Sequence, residues 1–407
     1  MRTVAGRMHI CLLTRELPPF TPYTGGIGRA YAALARGLAD RGVRVTVVVP
    51  GLAGGPVASE GVDVHGVEAD DGRPSAVGNV ATAWRVRRAL GALGADVVFA
   101  PEWRGDDAPF PLLPRPRGVR VTNLTSSLRQ IREITTDTRR LGDLRPHRLV
   151  QGLLERRQTE AADGIVAVSR AILAWTDRLW DIGRKPTAVI PNGIDSPRIR
   201  RLAAGRAPGA FPHDRPTVVF AGRLEARKGV QVLAHAMRTV WQSVPDAHLV
   251  LAGRDGSWRG GTMSSHLRSV AGERADQLVL LGELGPEELF PVLRGAGVVA
   301  LPSLWEAQGV IGLEALAAGA PVVATRGTGF EDFVRPGENG FLVEPGDAGE
   351  LAAALLRVLT GRELRERLAA AAPRALDDYD LHVVAGRHLA FFEELLTTRG
   401  RATGASR

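Results

Sequence analysis

Glu306 and Glu314, eight positions apart, are the side chains of this sequence best placed to do chemistry. They lie in Leu301-Pro-Ser-Leu-Trp-Glu306-Ala-Gln-Gly309-Val-Ile-Gly-Leu-Glu314, directly after the apolar run Val298 to Leu301. That run reads as a buried strand, Pro302 to Gln308 as a loop, and Gly309 as the opening of a helix. Glu306 then sits at the carboxyl end of a parallel strand and Glu314 about a turn into the next helix. Ligands of open α/β sheets bind at that edge. A pair of carboxylates there suits a ligand rich in hydroxyls, because each ionised carboxylate accepts several hydrogen bonds.

A second constellation is cationic. Ala221-Gly222-Arg223-Leu-Glu-Ala-Arg-Lys228-Gly229 follows the apolar run Thr217 to Ala221 and carries Arg223 and Lys228 at the same kind of edge. Two cations there could neutralise a diphosphate that leaves during a reaction. Lys228 is also unusual in kind: Lys185 and Lys228 are the only lysines among fifty-two basic residues. The plain alternative is a surface loop with two ordinary charges.

Weaker signals surround these two. Thr24-Gly25-Gly26-Ile-Gly28 opens a helix after the first apolar run, and glycines beside a helix N-terminus can approach and bind phosphate. The spacing is not the G-x-G-x-x-G of dinucleotide sites, and a turn alone also explains it. Gly253-Arg254 ends another strand and either lines a nucleotide pocket or simply turns the chain. Glu102, Asp106 and Asp107 follow a strand in the first half, where they could meet a second substrate or face solvent. The nine histidines show no metal-ligand spacing, and no Ser-His-Asp or Walker pattern stands out.

The elements that must position these residues alternate. In the first half, strands are expected at Ile10–Thr14, Val43–Val49, Asp96–Ala100, Val119–Leu124, Gly164–Ser169 and Ala188–Ile190. Helices are expected at Gly28–Asp40, Val80–Leu93, across an Arg-rich region to about Ala162, and at Ala171–Trp180. Ser196 to Pro216, polar and rich in Arg, Pro and Gly, is the best linker. A second series follows: strands at Thr217–Ala221, His248–Ala252, Gln277–Leu281, Val298–Leu301, Pro321–Ala324 and Gly340–Val343, and helices at Gly229–Trp241, Ala348–Leu359 and Asp380–Leu396. Strand–helix alternation of this kind is a doubly wound α/β pattern, and 407 residues exceed one ordinary core. The expected domains are 1–200 and 201–375, with 376–396 returning to the first and 397–407 a disordered tail.

Bulk composition narrows the function classes. With 44% apolar and 24% charged residues the chain is globular in composition. The single cysteine, Cys11, lies in an apolar run and offers neither a disulfide framework nor a thiolate metal site. The first apolar run meets Arg15 and Glu16 at once, so it reads as a strand and not a signal peptide, and no run is long enough to span a membrane. A cytoplasmic protein is the simplest expectation. The net charge of +8 is concentrated: from Arg115 to Arg157 there are eleven arginines against Glu133, Asp137, Asp143 and Glu155. That strip either faces an anionic acceptor or membrane surface, or is a solvated helix face. Without aromatic interleaving, it gives nucleic-acid binding little support.

Together these residues resemble glycosyltransferase family 4, retaining enzymes of the GT-B fold with two Rossmann-like domains facing a cleft. The resemblance runs through Gly25-Gly26, Val168-Ser169, Pro191-Asn-Gly-Ile-Asp195, Gly222-Arg223 with Lys228-Gly229, Glu306 to Glu314, and Gly319-Ala-Pro321. It implies a nucleotide-diphosphate sugar as donor, UDP first and GDP next, and a hydroxyl-bearing acceptor, small or lipid-linked. Glu314 would hold the ribose, Glu306 the transferred sugar, and Arg223 and Lys228 the leaving diphosphate. Backbone N–H groups of Gln308, Gly309, Val310 and Ile311 would assist, with Gly25, Gly26, Gly253 and Arg254 completing the donor set. No cofactor or metal is expected, because the cations take a metal's place. Glu102, Asn123 and Thr125 are candidate acceptor or sugar contacts. One departure is plain: many members carry a histidine where this chain has Thr125. Two alternatives remain, a nucleotide-sugar 2-epimerase on the same scaffold and a catalytically silent sugar-nucleotide-binding relative. Products formed without acceptor would reveal the first, and donor binding without turnover the second.

Overall fold

Short runs dominated by Val, Leu, Ile and Ala form strands buried on both faces, which is what a parallel sheet covered by helices requires. The computed structural model describes residues 8–21, 25–53, 57–59, 61–69, 75–109, 118–134 and 145–404. The chain divides into two units, Met1–Gly193 with Leu381–Arg407, and Ile194–Asp380.

In the first unit the order is β1 (His9–Leu13), α1 (Gly26–Ala39), β2 (Arg44–Pro50), β3 (Val57–Ser59), β4 (Val62–Val67), α2 (Ala76–Leu93), β5 (Val97–Pro101) and β6 (Val119–Leu124). Then come α3 (Leu128–Ile134), α4 (Pro146–Glu160), β7 (Gly164–Ala167), α5 (Arg170–Leu179) and β8 (Thr187–Val189). The sheet runs β3-β4-β2-β1-β5-β6-β7-β8, parallel except for the antiparallel β3–β4 edge pair. The pair β3–β4 is absent from the sequence expectation, because Val-Asp-Val-His-Gly-Val is too polar to stand out as a buried run. The Arg-rich helical region is two helices, α3 and α4; residues 135–144 between them lie outside the described residues, as do 110–117.

In the second unit the order is α6 (Ser196–Ala203), β9 (Thr217–Ala221), α7 (Val230–Ser243), β10 (His248–Ala252), a two-residue-strand hairpin of β11 (Ser257–Trp258) and β12 (Gly261–Thr262), α8 (Met263–Ala271) and β13 (Leu278–Gly282). It continues with α9 (Pro286–Arg294), β14 (Val298–Leu301), α10 (Val310–Ala317), β15 (Val322–Thr325), β16 (Gly340–Val343), α11 (Ala348–Thr360) and α12 (Arg362–Ala371). The six-stranded sheet β13-β10-β9-β14-β15-β16 is parallel throughout.

The expected linker is partly a helix. Asp195 caps α6 by accepting from the Arg198 N–H at 2.9 Å, and Pro197 pre-sets the first turn. Ile199 and Ala203 are buried with Leu289 and Phe290 of α9 in one apolar cluster. The unit border therefore falls at Gly193/Ile194 and not after residue 200. The return border falls at Asp380/Leu381, later than the expected 375/376. There α13 (Leu381–Gly404) rejoins the first unit, burying Val384, Ala385 and Phe392 with Leu34, Leu38 and Phe99. Gly37 makes this packing close: a Cβ there would come within 2.8 Å of Ala385. The helix continues past Leu396 to Gly404, where the sequence reading placed a disordered tail.

Candidate active site

In the second sheet, β9 is flanked by β10 on one side and β14 on the other, so the winding reverses between β9 and β14. At such a switch point the two following loops part and leave a crevice at the carboxyl edge. Those loops are residues 222–229 and 302–309, the two that carry Arg223 with Lys228 and Glu306 with Gln308. The sequence-derived pairs thus converge on one edge of one sheet.

Backbone contacts fix the loops against each other. A Cβ at Gly229, whose φ is 69°, would lie 1.8 Å from the Pro302 carbonyl oxygen, and the Leu304 N–H donates to the Arg227 carbonyl at 2.9 Å. A Cβ at Gly253 would meet the Gly222 carbonyl oxygen at 1.9 Å. Gly253 is therefore a close-approach position between the ends of β9 and β10. Arg254 lies beside it with its guanidinium 2.9 Å from Glu283, on the surface.

The electrostatics centre on Glu306. Lys228 donates a hydrogen bond and ion pair to its Oε2. Burial pushes the Glu306 carboxyl up, but Lys228, Arg227 and Arg223 together outweigh burial and hold it below the ordinary carboxylate range. Glu225 lies 2.8 Å from Arg227 and 3.2 Å from Arg223, so it fixes both guanidinium groups from below. Arg223 remains 52% exposed and is the more available cation. Sequence reasoning passed over Arg227 and Glu225; the one available signal was their position between Arg223 and Lys228.

Gly309 opens α10 with a left-handed φ of 80°. A Cβ there would meet the Phe330 ring at 2.1 Å, so only glycine lets the loop pass over that ring. The helix start presents the N–H groups of Val310 and Ile311, which lie in the first turn and have no intrahelical acceptor. Gln308 and Glu314 are both buried, the latter on α10. Phe330 is a positioning residue that the sequence gave no reason to single out.

In the first unit β1 lies between β2 and β5, so a second switch point exists there. The Gly25 N–H, next to the start of α1 at Gly26, donates to Glu16 at 2.7 Å. Glu102, directly after β5, is fully buried. Both its oxygens accept from the Thr125 N–H at 2.8 Å, and Oε2 accepts from the Thr125 hydroxyl at 3.0 Å. Burial pushes the Glu102 carboxyl up to about 7 despite these bonds. Asn123 is buried as well and donates to the Tyr31 hydroxyl at 3.4 Å. Glu102, Asn123 and Thr125, the candidate acceptor or sugar contacts, thus lie buried within the unit and hydrogen-bonded to protein groups. Asp106 is similarly engaged by Arg15 at 2.6 and 2.8 Å, and Asp107 by Arg120.

Known proteins match along nearly the whole chain. The profile of Glycosyltransferase Family 4 matches residues 24–198, and that of Glycosyl transferases group 1 matches residues 204–375. This chain belongs to glycosyltransferase family 4. One relative, the phosphatidyl-myo-inositol mannosyltransferase of Mycobacterium leprae, is 33% identical over 258 residues, 63% of this chain. The D-inositol 3-phosphate glycosyltransferase of Corynebacterium urealyticum is 31% identical over 256 residues, 60% of each chain. The match spans 65% of the mycobacterial relative's own length, just short of two thirds. Among solved structures, the sucrose-phosphate synthase of Thermosynechococcus elongatus superposes with a TM-score of 0.77 at 21% identity, covering 96% of this chain and all of that one. Anabaena HepE in complex with UDP and glucose does so at 0.66 and 18% identity, over 95% and 99% of the two chains. At these identities the likeness concerns the fold, which is GT-B: two Rossmann-like, doubly wound parallel-sheet domains.

Among the described residues of this family 4 chain, no group of His, Cys, Asp and Glu is arranged to hold a metal ion, and no helix is long and apolar enough to cross a membrane.

Proposed function

We propose that this chain is a retaining glycosyltransferase that moves a sugar from a nucleotide-diphosphate sugar to an acceptor hydroxyl. The observation that carries the reading is the Lys228–Glu306 pair at the switch point of the second sheet. An ammonium group has three N–H donors. One is directed at Glu306, and the others are free in number to meet a diphosphate beside Arg223. Glu306, kept ionised, accepts from hydroxyls of the transferred sugar; Glu314 does the same for the ribose. The first-turn N–H groups of α10 add a positive dipole end to the diphosphate.

In the reaction the acceptor oxygen attacks the anomeric carbon on the face the diphosphate leaves. The bond between that carbon and the phosphate oxygen breaks with its electron pair going to the diphosphate, and the acceptor proton passes to a phosphate oxygen. Arg223, Lys228 and the helix start stabilise the charge that develops, and one such donor is worth about 3–4 kcal/mol. No metal takes part in this scheme. UDP is the first nucleotide to try, since HepE of the same fold holds UDP, and GDP the next. The inositol in the relatives' names makes a phosphate-bearing polyol, free or lipid-linked, the first acceptor to try.

The test is product analysis with UDP- and GDP-hexoses, with and without inositol phosphate or phosphatidylinositol. We expect nucleotide release that rises with acceptor and a product of unchanged anomeric configuration. Conversion of the donor into its 2-epimer, without acceptor and with the nucleotide still attached, would replace this reading with the isomerase one. Donor binding without turnover across the panel would leave a silent relative.

A further inference from the structure

We propose that the outer faces of α2 and α4 together form a docking surface for an anionic lipid bilayer. On α2, Val77, Val80 and Trp84 follow helical spacing and are exposed, Val77 to 79%. On α4, Leu149 and Leu153 are one turn apart and half exposed, at 51% and 50%. The two helices pack side by side in the first unit, tied by the Asn79 side-chain amide donating to the His147 carbonyl at 3.0 Å. An open groove runs between them, walled by Val77, Val80, Trp84 and Val150. The inward face of α2 is already buried through Ala83, Val86 and Leu90, so the outer residues are not needed for the core. Exposed apolar side chains grouped in this way on two neighbouring helices mark an interaction surface.

The charge around the patch selects the partner. The α2 stripe ends in Arg88, whose guanidinium lies 5.7 Å over the Trp84 ring, with Arg85 beside it. The α4 stripe begins at the exposed Arg145 and ends in the exposed Arg156 and Arg157. Among the described residues, the acids paired with these groups are Glu68, 3.8 Å from Arg85, and Glu160, 2.7 Å from Arg156, and the arginines outnumber them. Glu155 is buried beneath α4 and faces inward. An apolar face with Trp and a rim of arginines is the pattern of a helix lying in a lipid interface. There the ring sits at headgroup depth, the aliphatic residues enter the acyl boundary, and arginines reach back to phosphates. A second copy of this chain fits less well, because a two-fold contact would bring the same arginine rims together. The surface is separate from the donor chemistry proposed above, and each reading stands or falls alone.

The test is flotation of the full chain with vesicles of phosphatidylcholine alone and of phosphatidylcholine with phosphatidylglycerol. We expect binding to the anionic vesicles only, weakening steeply with salt. Replacing Arg88 or Arg157 by Gln should weaken it about fivefold each. Replacing Val77 and Trp84 together by Ser should weaken it roughly tenfold or more. These positions are exposed, so an unchanged melting temperature accompanies each variant. Equal binding to neutral vesicles, or no binding to either kind, would overturn the proposal. So would a concentration-dependent dimer abolished by the Val77/Trp84 variant, which would make the face a contact between copies.

Discussion

Lys228 donates to Oε2 of Glu306, joining the loop after β9 to the loop after β14 where the second sheet reverses its winding. The two residues are distant in sequence and adjacent only because β9 and β14 pair in parallel. The bond keeps a carboxylate ionised in a largely buried place and holds a cation at the sheet edge. A site that must grip hydroxyls and a diphosphate side by side needs both.

Removing the cation separates its roles. Lys228→Ala should lower turnover by roughly 100- to 1,000-fold while changing donor affinity much less, since its charge acts chiefly on the leaving group. Steady-state kinetics beside calorimetric donor binding would measure both. Unchanged turnover would remove Lys228 from the leaving-group role.

The same pair has an acid signature. The Glu306 carboxyl is held below its ordinary 4.5, so its contribution to stability is present above that value and is lost as pH falls through the lowered one. Lys228→Ala takes away the nearest cation and lets burial act, so the acid-unfolding midpoint should move to higher pH. Circular dichroism across an acid titration would show it. A midpoint that does not move would mean that Arg227 and Arg223 suffice.

Glu102 and Glu155 run the other way. Glu155 accepts from the N–H groups of Arg104 at 3.0 Å and Leu128 at 2.8 Å, yet burial raises it to about 8, as it raises Glu102 to about 7. Below their ordinary 4.5 both are protonated in folded and unfolded chains alike. As pH rises from there, the unfolded chain ionises first, so stability falls until the folded carboxyls ionise too. The melting temperature should drop between pH 5 and 8, about the span of the two values. Glu155→Gln should flatten the upper part of that drop. An equally steep drop in the variant would assign the effect elsewhere.

Gly309 tests the loop geometry. Gly309→Ala combines a left-handed backbone with a clash against Phe330 and should cost roughly 2–4 kcal/mol. Donor binding should weaken as the start of α10 shifts. A variant with wild-type melting and binding would show that the loop does not depend on this close approach.

Arg254 separates binding from structure. Its pair with Glu283 is exposed on both sides, so Arg254→Ala should leave stability within about 0.5 kcal/mol. A rise in donor KM in that variant would support its place in the donor set. No kinetic change would remove it.

The α/β alternation and the strand ends were legible in the sequence because buried parallel strands read as plain apolar runs, such as Val298 to Leu301. The positions of Arg223, Lys228, Glu306 and Gly309 followed from those ends. What sequence could not supply was pairing across distance. The bond between Glu102 and Thr125, which are distant in sequence, becomes visible only once β5 and β6 pair. Glu155 read as one countercharge in a basic strip, although its helix turns it inward. Helix α6 was hidden by its polar composition, and only the Asp195 cap and Pro197 betrayed it.

The most direct measurement is a thermal-shift titration with UDP, GDP, ADP and their hexose conjugates, in magnesium and in chelator, on the wild type and on Glu314→Ala. Stabilisation by one nucleotide family is expected, equal with and without magnesium and lost in the variant. Stabilisation that needs magnesium, or that survives in Glu314→Ala, would contradict the assignment of the donor site.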